Sequence, residues 1–129
     1  MLAIAAVKLG AAHVDAIDID PIAAEVAGEN CRVNGVADRV KIRAGTLAAE
    51  EAGRYDLVVA NISTDANIGL AKAFRAAVRE GGRLVLSGIL APDGRRVAAA
   101  MEAEGFSLQT MRYERDWCLL ELRRANPNP

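Results

Sequence analysis

Two polar residues stand where a mostly parallel sheet would do its chemistry. Asp18 follows the run His13–Ile17, and Asn61 follows the run Tyr55–Ala60, YDLVVA. Both runs are short, apolar and rich in β-branched residues, as strands covered on both faces are. In an open α/β sheet, ligands sit beyond the carboxyl ends of the parallel strands. A carboxylate at that rim can accept two hydrogen bonds from the vicinal hydroxyls of a ribose, and this is the chemistry Asp18 offers. The alternative for Asp18 is a solvated loop acid. A carboxamide at the rim offers an acceptor and a donor together. Beside a methyl donor, the Asn61 side chain or the adjacent backbone carbonyl could hold an attacking amine. The alternative for Asn61 is a cap on the following loop through an Asx-turn. Asp20 precedes Pro21, the pattern of an N-cap followed by proline at the first helical position, and capping is its expected role.

Other chemistries lack their residues. His13 is the one histidine and has no Ser or Cys pattern around it, which argues against a catalytic triad. Cys31 and Cys118 are far apart and show neither metal nor redox spacing; they read as buried thiols in a reducing cytosol. With one histidine and two scattered cysteines there is no metal motif, and no Walker-type loop is present. The net charge of −1 asks for no nucleic-acid partner. No apolar run reaches the length of a membrane span, and Met1–Leu9 has neither the charged flank nor the cleavage site of a signal peptide. These features predict a cytoplasmic protein. Hydrophobic residues make up 52% of the chain but aromatics only 4%, so the core must be built from Ala, Val, Leu and Ile.

The elements that position these residues alternate along the chain. Met1–Leu9 reads as an Ala-rich helix closed by Gly10. The strand ending at Asp18 leads into a helix from Pro21 to about Asn34, ended by Gly35. Ile22, Val26 and Val33 give that helix its apolar stripe, with Glu25, Glu29 and Arg32 facing out. Arg39–Arg43 reads as a strand, and Ala44–Arg54 as a loop or a short helical piece. After Asn61, Thr64 or Asp65 is expected to cap a helix from Ala66 to about Glu80, broken by Gly81 and Gly82. Arg83–Ser87 is a strand with Gly88 at its tip, and Pro92–Glu104 is a helix closed by Gly105. Phe106–Tyr113 and Trp117–Leu122 form an antiparallel hairpin. Trp117 is expected in the core or at an interface, and Arg112, Arg115, Arg123 and Arg124 on a solvated edge. Residues 125–129 are expected to be a disordered tail outside one domain spanning 1–124. The order predicts an α/β fold: a mostly parallel sheet, helices on both faces, and an antiparallel edge. Three strand ends, Asp18–Asp20, Asn61–Ser63 and Ser87–Gly88, should share one rim.

Several segments carry a family resemblance. They are LAIAAVKLGA at Leu2–Ala11, DAIDIDPIA at Asp15–Ala23, ENCRVNGV at Glu29–Val36, YDLVVANI at Tyr55–Ile62 and GGRLVLSGIL at Gly81–Leu90. EGFSLQ and DWCLLEL follow near the end. In this order they resemble the catalytic domain of S-adenosylmethionine-dependent methyltransferases of the Rossmann-like class. Within it they are most similar to the bacterial enzymes that methylate protein eleven of the large ribosomal subunit. The resemblance implies S-adenosyl-L-methionine as cofactor and protein amines of that ribosomal protein as acceptors. It implies that Asp18 binds the ribose hydroxyls and that Asn61 lies at the cofactor and target-amine site. Ile19 and Ile62 would flank the adenine or methionine parts of the cofactor.

Members of this family carry a glycine-rich loop and a first, central strand ahead of the segment that begins here at Leu2. Neither lies within these residues. The expectation is therefore a gap between the strand ending at Asp18 and the strand ending at Asn61, each with an unpaired edge. A partner chain or a second copy would cover that gap. Two other functions fit parts of the sequence. One is a non-catalytic remnant that needs a partner chain. The other is an NAD-dependent oxidoreductase domain, since an acid after the second strand also suits NAD.

Overall fold

A computed structural model of the chain describes residues 2–47, 53 and 55–125. The chain forms two compact units, residues 1–46 and 47–129. The expected tail lies outside the described residues from 126 on, as does most of the stretch read as a loop or short helix, residues 48–52 and 54.

The first unit holds α1 (Leu2–Lys8), β1 (Val14–Asp18), α2 (Pro21–Val33) and β2 (Val40–Ala44). β1 and β2 pair in parallel, from Val14 opposite Val40 to Asp18 opposite Ala44. Gly10 and Gly35 close the two helices at φ +114° and +72°, conformations that glycine adopts without a Cβ penalty. The core packs Ala3 and Val7 of α1 with Cys31, Val36 and Val40, against Val14, Ala16 and Ile42.

The expected stripe of α2 is not the buried one. Ile22, Val26 and Val33 are 71%, 54% and 70% exposed, while Ala24 and Cys31 face the core. At 3.6 residues per turn, these two sets lie on opposite sides of the helix. The small side chains of Ala24 and Cys31 let the helix lie close against the sheet, and the larger residues are left pointing away.

The second unit holds β3 (Tyr55–Asn61), α3 (Thr64–Gly69), α4 (Ala71–Ala77), β4 (Val78–Leu90), α5 (Gly94–Ala103), β5 (Phe106–Glu114) and β6 (Trp117–Arg124). A 3₁₀ turn, Ala91–Asp93, precedes α5. The strands lie in the order β3-β4-β6-β5. β3 and β4 are parallel; β4, β6 and β5 are antiparallel, as the closing hairpin predicts. The core is Leu84, Leu86, Ile89, Leu120 and Leu122 from the sheet, packed with Phe74, Val97, Ala98, Met101 and Phe106. Among the described residues, β1 and β3 each have a strand partner on one edge only, the open edges that the sequence predicts. No described helix is long and apolar enough to cross a membrane.

Four expectations fail in this unit. The helix expected over Ala66–Glu80 is two short helices interrupted at Leu70, and it stops at Ala77. β-branched Val78 instead pairs with Tyr55, and its carbonyl accepts from Arg124 Nη1 at 2.6 Å. Between Val78 and Arg83 the chain makes an excursion opposite Asp56, held by an Arg79–Asp56 ion pair at 2.6 Å. Gly81 and Gly82 serve that excursion rather than a helix end. A Cβ on Gly82 would lie 2.7 Å from Val78 Cγ1 and 2.8 Å from the Arg79 carbonyl oxygen.

Second, Gly88 is not a strand tip, because β4 continues to Leu90. Gly88 takes φ +77° where the register with β6 shifts between Leu86 and Ile89, a bulge. Third, β3 is not covered on both faces: Val58 and Ala60 pack on the core, but Leu57 and Val59 are 48% and 44% exposed. Fourth, β6 runs past Leu122 to Arg124, so Arg123, which is exposed, and Arg124 sit in an inner strand opposite Ser107 and Phe106, while Trp117, 54% exposed, lies outside the core, the first of its two expected places.

Candidate functional site

Asp18 is the last residue of β1, at the carboxyl end of a parallel strand. Its backbone is fixed, because the carbonyl accepts the N–H of Gly45 at 2.8 Å, just past the end of β2. Its side chain is half engaged: Oδ1 accepts the N–H of Asp20 at 2.9 Å. Among the described residues, the second carboxylate oxygen has no hydrogen-bond partner, and the residue is exposed. Asp20 is the N-cap of α2, with Oδ1 accepting the N–H of Ile22 at 2.9 Å and proline following. The two acids therefore form a chain of local bonds, each receiving the N–H two residues on. Ile19, between them, is 79% exposed, an apolar side chain standing beside the free carboxylate oxygen's residue.

In the second unit, Asn61 ends β3 directly opposite Ser87 of β4. The end of β3 thus lies level with Ser87, where the sequence places the end of the neighbouring strand, although β4 runs on to Leu90. The Asn61 carboxamide lies close over Gly88. A Cβ built on Gly88 would be 2.8 Å from Asn61 Oδ1 and 2.5 Å from the Ile62 carbonyl oxygen. Only a residue without a side chain leaves that seat open. Ile62 is half-buried and packs against the core.

The chain then turns into α3, whose cap is Ser63 rather than Thr64 or Asp65. Ser63 Oγ accepts the N–H of Ala66 at 3.2 Å, and Thr64 and Asp65 are already inside the helix. Asn67, one turn on, is fully buried. Its Nδ2 reaches the carbonyls of Ile62 at 3.2 Å and Ser87 at 3.4 Å. No sequence signal marks Asn67, since a mid-helix asparagine reads as a neutral surface residue. For Gly88 the signal was present in SGIL but pointed to a strand end.

The remaining candidates are structural. His13 Nε2 lies 2.7 Å from Asp15 Oδ1. Both cysteines are buried free thiols, as expected. Burial pushes the Cys118 thiol pKa up. Gly94, at the start of α5, makes room for that sulfur: a Cβ there would meet Cys118 Sγ at 2.9 Å.

Comparison with known proteins gives the family. Residues 1–125 match the family described as ribosomal protein L11 methyltransferase (PrmA). The chain belongs to the ribosomal protein L11 methyltransferase family. A family member from Exiguobacterium sp. is 41% identical over 125 residues, which are 97% of this chain and 40% of that protein. One from Pelotomaculum thermopropionicum is 42% identical over 123 residues, 95% of this chain and 40% of that protein. The chain thus spans about 40% of the length of these family members. A crystal structure of ribosomal protein L11 methylase from Lactobacillus delbrueckii subsp. bulgaricus matches with a TM-score of 0.88 at 30% identity, over 97% of this chain and 64% of that one. An RNA methyltransferase from Salinibacter ruber, solved in complex with S-adenosyl-L-homocysteine, shares the fold at 20% identity and a TM-score of 0.75, over 99% of this chain and 76% of that one.

Proposed function

We propose that this chain supplies the cofactor- and acceptor-binding residues of an S-adenosyl-L-methionine-dependent methyltransferase, acting in the cytoplasm on amines of ribosomal protein L11. The observation that carries the reading is Asp18 at the carboxyl end of a parallel strand, with one oxygen fixed and the other without a partner among the described residues. The donor set fits the cofactor. A carboxylate suits the ribose hydroxyls, and exposed Ile19 beside it offers apolar surface to the adenine or the methionine chain. By family resemblance, Ile62 would also flank the cofactor. Family membership favours this cofactor over NAD.

When bound, the cofactor's sulfonium supplies an electrophilic methyl group, so that an N–C bond forms as the C–S bond breaks. The protein's part is positioning, which such a displacement needs more than acid–base groups. Asp18 holds the ribose through charge-assisted hydrogen bonds. Asn61 accepts an N–H of the neutral amine and so orients the nitrogen lone pair. The proton lost from the amine passes to solvent.

The open edges of β1 and β3 favour a second reading, in which the chain is a non-catalytic piece that needs a partner chain or a second copy. Titration with labelled S-adenosyl-L-methionine, and separately with NAD, distinguishes the readings. Saturable binding of the first alone, weakened in Asp18→Ala, is the expected result. Binding of neither supports the partner-requiring piece, and binding of NAD alone overturns the methyltransferase reading.

A further inference from the structure

We propose that Asn67 is a positioning residue that ties the end of β3 to β4 at Ser87 and thereby sets the Asn61 side chain. The inference rests on the reading of Asn61 as the acceptor-site residue, but its geometry stands independently of that reading. Asn67 has two amide protons and two carbonyls in reach, Ile62 O just past the end of β3 and Ser87 O within β4. Its own backbone is tied to the same turn, with its N–H donated to the Ser63 carbonyl at 2.9 Å. The carbonyl it holds on Ile62 is the one that nests against Gly88, 2.5 Å from where a Cβ would be. Asn61 Oδ1 rests on the same glycine. Clamp, carbonyl, glycine and carboxamide form one contiguous set, so a shift at Asn67 passes to Asn61 through Ile62 and Gly88.

The other end of the Asn67 amide argues that stability is not its purpose. Oδ1 is buried and is the one buried side-chain nitrogen or oxygen among the described residues with no hydrogen-bond partner. A leucine would fill a similar volume without leaving an unpaired acceptor. An unsatisfied polar group kept in an apolar setting marks a local compromise of the kind found at functional sites. Both protons go to carbonyls, which fixes the orientation of the amide.

The test is made on the whole chain labelled with ¹⁵N, reading side-chain carboxamide signals by NMR. Asn61→Ala identifies the Asn61 pair by its loss. In the unaltered chain, the Asn67 amide protons should exchange with solvent about tenfold or more slowly than those of exposed Asn30. Exchange as fast as that of Asn30 would overturn the clamp without needing any variant. In Asn67→Leu, the Asn61 pair and the amides of Ile62, Ser63 and Gly88 should shift, while those of Leu120 and Leu122 stay in place. A merely structural role would lower the urea midpoint and leave the Asn61 pair unmoved, and that pattern would also overturn the proposal. Loss of S-adenosyl-L-methionine binding leaves these signals unaffected, so failure of the methyltransferase reading is distinguishable from failure of the clamp.

Discussion

Oδ1 of Asp18 accepts the backbone N–H of Asp20 at 2.9 Å, which divides the carboxylate into a structural oxygen and a free one. Removing the side chain and neutralising it should therefore have different effects. Asp18→Ala loses the acceptor for Asp20 as well as the charge. Asp18→Asn keeps an acceptor oxygen for Asp20 but removes the charge and turns the other oxygen into an amide donor. We expect both to weaken S-adenosyl-L-methionine binding by about 1–3 kcal/mol, the range for a charge-assisted hydrogen bond. Asp18→Asn should do so with an unchanged urea midpoint. Calorimetric titration and denaturation of both variants check this, and unchanged affinity in both would remove the ribose role.

Asn61 is expected to act on the acceptor rather than the cofactor. In Asn61→Ala, methyl transfer to L11 should slow by more than cofactor affinity falls, with a loss on the order of 10²-fold for a misoriented nucleophile. Single-turnover rates set against equilibrium cofactor binding separate the two effects. Weakened binding with unchanged turnover of the bound complex would move Asn61 into the cofactor shell.

Gly88 combines a left-handed backbone with a seat that a methyl group would fill. Gly88→Ala should cost about 2–4 kcal/mol, from the φ penalty and from the push against the Ile62 carbonyl. Gly105, at φ +92° with open space around it, supplies the control. Gly105→Ala should cost only the backbone share, about 1–2 kcal/mol. Equal losses in urea denaturation would mean that the close approach at Gly88 carries no energy.

Burial raises the Cys118 pKa, so its protonated form is the one the fold favours. Such a group contributes its stability in full below the unfolded thiol value of about 8.5. The contribution is lost as pH rises through the higher folded value. Stability should therefore fall on the alkaline side, and the fall should be shallower in Cys118→Ala. Urea midpoints measured from neutral to alkaline pH test the difference between the two slopes.

The strands and caps were legible where a local rule decides them. Asp20-Pro21 named the start of α2, Gly10 and Gly35 named helix ends, and Trp117–Leu122 named the second arm of the hairpin. What could not be read was set by partners distant in sequence. Val78 joins β4 because Tyr55 and Arg124 meet it there, 23 and 46 residues away. The period of α2 fits two opposite faces, one large and sparse, one small and close-packing, and hydrophobicity alone chose the wrong one. Asp18 and Asn61 could be named as candidates because strand ends are where ligands bind in open α/β sheets. Asn67 could not, because its importance lies in two backbone carbonyls that no side-chain pattern records.

The strand order β3-β4-β6-β5 places β6 inside the sheet although it is the last described strand to be made. During synthesis, β4 can find β3 early, but the flank that β6 will occupy stays bare until Trp117–Arg124 have emerged. The apolar side chains of Leu84 and Leu86 wait with it, in a half-built sheet that offers an edge to any other nascent strand. Pairings this distant also close slowly. Truncations that remove β6 should therefore yield a sticky, chaperone-dependent product rather than a smaller version of the same protein.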